Sequence, residues 1–186
     1  MIRILLKALN PFFLCVVIAF GIALQTSIFY TYPLTLLQPD IVLLAVIWVS
    51  LKRDFTEGGI LTLIMGNIAE INSSAPQGIL MASYLLVFFS VRLAAKLLVI
   101  PNRNALVFVT LASSLFWKLT YFGLLLLLGV GFQQWKHLIT LLFPGAVSSG
   151  FLGIWFFRFL DRFDWITFKN RKAEQALEDE ILLGYE

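Results

Sequence analysis

Cysteine and histidine are almost missing from this chain. Its 186 residues hold one cysteine, Cys15, and one histidine, His137. A single cysteine excludes an intrachain disulfide framework, and one residue of each kind excludes a Cys- or His-based metal site. Charge is scarce too: 13% of the residues are charged, against 60% hydrophobic. A chain of this length has no means of covering so much apolar surface in water, and a polytopic membrane protein is the plain explanation. No Gly-rich phosphate loop is present. Outside the apolar runs there is no basic face with interleaved aromatics, which argues against a nucleic-acid partner. A hydrolase needs a nucleophile and a base held together. The only histidine lies at a run's end, Asp40 opens a run, and Asp161 and Asp164 follow the last one. No second carboxylate shares the depth of Glu70, so no enzyme and no cofactor are expected.

What the chain does contain is alternation. Six apolar runs are read at 11–30, 36–51, 58–71, 78–100, 104–130 and 137–160. About 20 residues cross the hydrocarbon core of a bilayer, so the second and third runs are short. They also contain or adjoin Asp40, Asn67 and Glu70. Such interrupted spans pack inside a bundle instead of meeting lipid on all sides. The fifth run is long enough to tilt. The expected class is all-α, with a six-helix transmembrane domain over residues 1–162 and a polar tail over 163–186. In that tail Ala173, Leu177 and Ile181 recur every four residues. A short helix and a solvated tail both remain open.

The basic residues occupy every second break. With the N-terminus in the cytoplasm, twelve of the 14 Lys and Arg residues fall inside. They are Arg3, Lys7, Lys52, Arg53, Arg92, Lys96, Arg103, Arg158, Arg162, Lys169, Arg171 and Lys172. Lys136 falls outside and Lys118 within a span. The opposite orientation reverses that count, so both termini are predicted to be cytoplasmic. Arg3, Lys7 and the apolar stretch after them look like a signal peptide. The stretch is too long for one and reads as an uncleaved first helix. Trp48, Trp135 and Trp165 lie near span ends, where indole rings favour the interface.

Two charges fall deep in spans. Glu70 lies 12 residues after Gly58, and Lys118 lies 14 after Asn104. At 1.5 Å per residue these depths are roughly 18 and 21 Å from the cytoplasmic side. Each charge costs at least ~2.5–3.5 kcal/mol there, so opposite charges at one depth invite pairing. Lining an outward cavity or meeting a partner are the other readings. Small residues mark close helix contacts: Ala19 and Ala23 on the first span, and Gly145, Ser149 and Gly153 on the sixth. These serve packing within the chain or the docking of a partner's transmembrane helix.

Four stretches in order resemble one family. They are Gln38-Pro39-Asp40 with the apolar run after it, Gly66-Asn67-Ile68-Ala69-Glu70, Pro76-Gln77-Gly78, and Tyr84. The set is similar to the rod shape-determining protein MreD family, over about residues 38–103. That family pairs a Pro-Asp or Pro-Asn opening the second span with a Gly-x-x-x-Asp closing the third. Here Glu70 replaces the aspartate, which keeps the acid and lengthens its arm. The resemblance implies a non-enzymatic subunit of the bacterial elongation machinery in the inner membrane. Its implied partners are a single-span MreC-like protein, MreB, RodA and penicillin-binding protein 2, in contact with membrane lipid. The candidate partner surfaces are a rim of Asp40, Pro76 and Gly78, and the face of Gly145, Ser149 and Gly153. The family's fold is similar to the six-helix substrate-binding subunits of energy-coupling-factor vitamin transporters. A membrane capture subunit is therefore the alternative. It would need more converging polar groups than Glu70, Asn72 and Lys118.

The orientation has a direct check. Single cysteines at Lys52 and Gln134 are labelled from outside intact cells; Gln134→Cys reacts and Lys52→Cys does not. The reverse pattern ends the proposed topology.

Overall fold

The computed structural model describes residues 2–32, 37–97, 103–129 and 135–167. These form six helices with no strand: α1 (Ile2–Ile28), α2 (Ile41–Lys52), α3 (Phe55–Ile71), α4 (Ile79–Leu97), α5 (Arg103–Leu127) and α6 (Trp135–Ile166). Among the described residues three stretches are long and apolar enough to cross a membrane: Leu9–Ile28, Ile79–Lys96 and Leu106–Leu127.

The short helix α2 is the hub. Its 12 residues extend about 18 Å, well under the ~30 Å of a hydrocarbon core. Every residue from Val42 to Ser50 is buried, and α2 packs against all five other helices. This is the interior position expected of an interrupted span. The helix begins five residues later than the apolar run, because Asp40 caps it: the Leu43 N–H donates to Asp40 Oδ1 at 2.9 Å. Trp48 was expected at an interface. It is instead 2% exposed in the core, and its indole N–H donates to Asp161 at 3.0 Å.

The other helices wrap this hub with one face each. On α1 the inward stripe is Asn10, Leu14, Ile18 and Ile22, all buried, at the four-residue spacing that lines one side of a helix. Phe12, Val16, Phe20 and Leu24 point away and are exposed. The expected small-residue contact at Ala19 and Ala23 is not how α1 packs, since Ala23 is exposed. Gly21 makes the approach, and a Cβ there would lie 3.1 Å from Ile41 Cγ2. α3 and α4 form a tight hairpin. Gly78, at φ +87°, turns the chain into α4, a backbone region that glycine adopts without strain. A Cβ on Gly66 would sit 3.1 Å from the backbone Cα of Met81.

The last helix outruns its apolar segment. α6 continues to Ile166, past the expected boundary at residue 163, and Asp164 and Thr167 are buried. The expected tail helix around Ala173, Leu177 and Ile181 lies outside the described residues.

The α3–α4 contact sets a test. Gly66→Leu forces the two backbones apart and costs about 1–3 kcal/mol. Gly123 has nothing within 4 Å of its built Cβ, so Gly123→Leu is nearly neutral. Thermal unfolding midpoints in detergent distinguish them; equal midpoints refute the close contact.

Candidate functional site

A helix shorter than the bilayer cannot leave its end groups to water. The first N–H groups of α2 are met by side chains from other helices. Gln25 of α1 accepts from Ile41 N at 3.2 Å. Ser149 of α6 accepts from Asp40 N at 3.2 Å. Asp40 accepts from Leu43 N through Oδ1 and, through Oδ2, from the Tyr84 hydroxyl of α4 at 2.9 Å. Lys118 of α5 is close enough for its charge to interact with Asp40. One residue thus ties together α2, α4, α5 and α6, with α1 bonded to the next residue.

A cavity of about 540 Å³ opens at this point. Its wall includes Asp40, Lys118, Gln25, Asn72, Ser114 and Tyr121. On α5, residues Ser114, Trp117, Lys118 and Tyr121 line it at spacings of three and four, so they share one helix face. Trp117 is stacked between two tyrosines. Its ring centroid is 5.5 Å from Tyr84 and 5.7 Å from Tyr121, at interplanar angles of 19° and 12°.

The opposite end of α2 is held by a buried arginine. Arg53 is 6% exposed and its Nη2 donates to Asp164 at 2.6 Å and to Asn10 at 2.7 Å. Asn10 also donates to Asp164 at 3.1 Å and to Thr167 at 2.6 Å. The Arg53 guanidinium lies 5.2 Å above the Trp48 ring. Arg92 of α4 donates to the carbonyls of Ser50 and Arg53, so the last carbonyls of α2 are satisfied from a neighbouring helix.

The cavity gathers Asp40, Lys118, Gly145 and Ser149 from among the sequence candidates. It leaves out Glu70, Pro76, Gly78 and Gly153. The charge that bears on Lys118 is that of Asp40. Glu70 Oε1 is buried without a hydrogen-bond partner. Equal depth put the two charges on one level, but depth says nothing about the direction in which a helix face points. The small-residue face of α6 is also occupied. Gly145, Ser149 and Gly153 are buried, and a Cβ on Gly153 would lie 3.3 Å from both Leu44 and Thr110. Gly153 therefore packs against α2 and α5 of its own chain, while Gly145 and Ser149 line the cavity. Pro76 stays exposed and Gly78 half-exposed on the α3–α4 turn.

A pair of double-mutant cycles separates the two pairings. Asp40→Ala and Lys118→Met are coupled, with an interaction energy above about 0.5 kcal/mol. Glu70→Ala and Lys118→Met add within about 0.5 kcal/mol. Thermal unfolding in detergent gives both values; coupling in the second cycle alone restores the Glu70 pairing.

Comparison with known proteins adds a family. No curated protein and no solved structure matches the chain, so the likeness to energy-coupling-factor transporter subunits stands without support. The family model described as rod shape-determining protein MreD matches residues 6–163. That span runs from the first turns of α1 to just short of Asp164 and covers every residue that lines the cavity. The chain belongs to the MreD family, and its role lies in rod shape determination.

Proposed function

We propose that this protein is a non-enzymatic, multi-pass subunit of the bacterial cell-elongation complex in the inner membrane. It binds the transmembrane helix of a single-span, MreC-like partner. Through that partner it works with MreB, RodA and penicillin-binding protein 2 in lateral peptidoglycan synthesis. The match to the MreD family over residues 6–163 is the observation that carries this reading. The chemistry of the site supports it. Asp40 is engaged by the α2 backbone and Tyr84, and Asp164 by Arg53 and Asn10. These carboxylates hold helices together, which is the work of a scaffold. In the orientation with both termini cytoplasmic, the cavity faces outward and the Arg53 network faces in.

The partner surface follows from exposure. Since the α6 face is internal, the rim beside Asp40 is the surviving candidate. Pro76 is its exposed part and Gly78 its turn. The cavity is the one observation favouring the second reading, a membrane capture subunit, because its polar lining is richer than Glu70, Asn72 and Lys118.

Pro76→Trp adds bulk to an exposed loop and leaves the core alone. It abolishes co-purification with the single-span partner while membrane insertion is unchanged, and the cells lose rod shape. Unaltered co-purification removes the rim from the interface. Depleted cells that stay rod-shaped but fail to accumulate a vitamin put the capture reading in place of the scaffold.

A further inference from the structure

The cavity at the N-terminal end of α2 is larger than its structural work requires. The hydrogen bonds that hold α2 use Asp40, Tyr84, Ser149 and Gln25. About 540 Å³ remains, lined also by Asn72, Ser114 and Tyr121, a volume within the range of small-molecule sites. The wall carries one negative and one positive side chain, Asp40 and Lys118, whose charges offset each other. A cavity with balanced charge does not select a free anion such as phosphate. Its hydroxyl and amide side chains both donate and accept hydrogen bonds. The cavity-lining Trp117 also keeps a buried indole N–H with no acceptor.

The location of the cavity restricts what reaches it. Its walls include Ile22 and Gln25 of α1 and Gly145 and Ser149 of α6. Those two helices meet through Asn10, Asp164 and Thr167 at the far end and do not pack extensively on each other elsewhere. The outer surfaces of the same two helices carry exposed apolar side chains, Phe20 and Leu24 on α1 and Phe151 and Leu152 on α6. A head group reaching the cavity between these two helices would leave its alkyl chains along their apolar surfaces.

We propose that this cavity binds the uncharged, hydroxyl-bearing sugar head of a lipid, admitted between α1 and α6. A sugar ring presents several hydroxyls that donate and accept, and this matches the lining; its apolar C–H face suits the aromatic wall at Tyr121. The inference goes beyond the scaffold reading and does not depend on it, because the purified chain alone is the reagent.

The test uses the full chain in a zwitterionic detergent without a sugar head. Glucosyl diacylglycerol, phosphatidylglycerol, diacylglycerol and methyl glucoside are titrated separately, with thermal shift and tryptophan fluorescence as readouts. Glucosyl diacylglycerol gives a saturable rise in stability, as any ligand specific to the folded state does. Ser114→Leu fills the cavity and abolishes the response. Tyr121→Phe keeps the ring stack and weakens binding roughly tenfold, the loss of one hydrogen bond. It serves alone if Ser114→Leu does not fold. An equal response to phosphatidylglycerol or diacylglycerol overturns the sugar assignment. Methyl glucoside binding as tightly as the lipid overturns sideways access and assigns a soluble sugar. No response to any probe, or wild-type affinity in the foldable variants, overturns the site.

Discussion

The structure depends on a helix that is too short for its surroundings. At 12 residues, α2 extends about 18 Å, less than the thickness of a bilayer's apolar core. An unsatisfied backbone group there costs several kcal/mol. Each end must therefore find partners in protein. Gln25, Ser149 and the Asp40 carboxylate supply them at the N-terminus. Arg92 supplies them at the C-terminus. These side chains come from α1, α4 and α6, so capping one short helix brings most of the bundle into register. The apolar packing of Val42 to Ser50 then fills the space between the two capped ends.

The two ends meet the same demand in opposite ways. At Arg53 a buried cation is matched by Asp164, Asn10 and the face of Trp48. Removing one partner from such a buried pair strands the other, so the cluster holds its geometry tightly. At Asp40 the carboxylate is bonded but the space beside it is left open. One end therefore fixes the bundle and the other keeps a chamber.

Much of this was legible in the sequence. Alternating apolar runs gave six helices in the right order, and the brevity of residues 36–51 placed α2 inside. The ordered motifs around Asp40, Glu70, Pro76 and Tyr84 pointed to the family that the match over residues 6–163 shows. What escaped was direction around each helix axis. Lys118 shares a level with Glu70, yet its face is turned toward Asp40. Arg53 counted as one more loop cation beside Lys52. In space Lys52 has a half-exposed side chain beside Asp161, whereas Arg53's is 4% exposed. Counting charge by loop cannot see that difference. The cavity did leave a trace: Ser114, Trp117, Lys118 and Tyr121 interrupt an apolar run at three- and four-residue spacing.

The position of α6 bears on how the protein is made. It leaves the ribosome after α1 to α5, and it carries a partner for each end of α2: Ser149 for one, Asp161 and Asp164 for the other. Until it arrives, α2 lies with Asp40, Trp48 and Arg53 incompletely matched, however well α1, α3 and α4 surround it. A nascent chain halted before residue 164 therefore holds Arg53 with Glu57 but without Asp164. Such a chain lacks the shortest ion pair of the network, so the C-terminal end of α2 is locked only when α6 is complete.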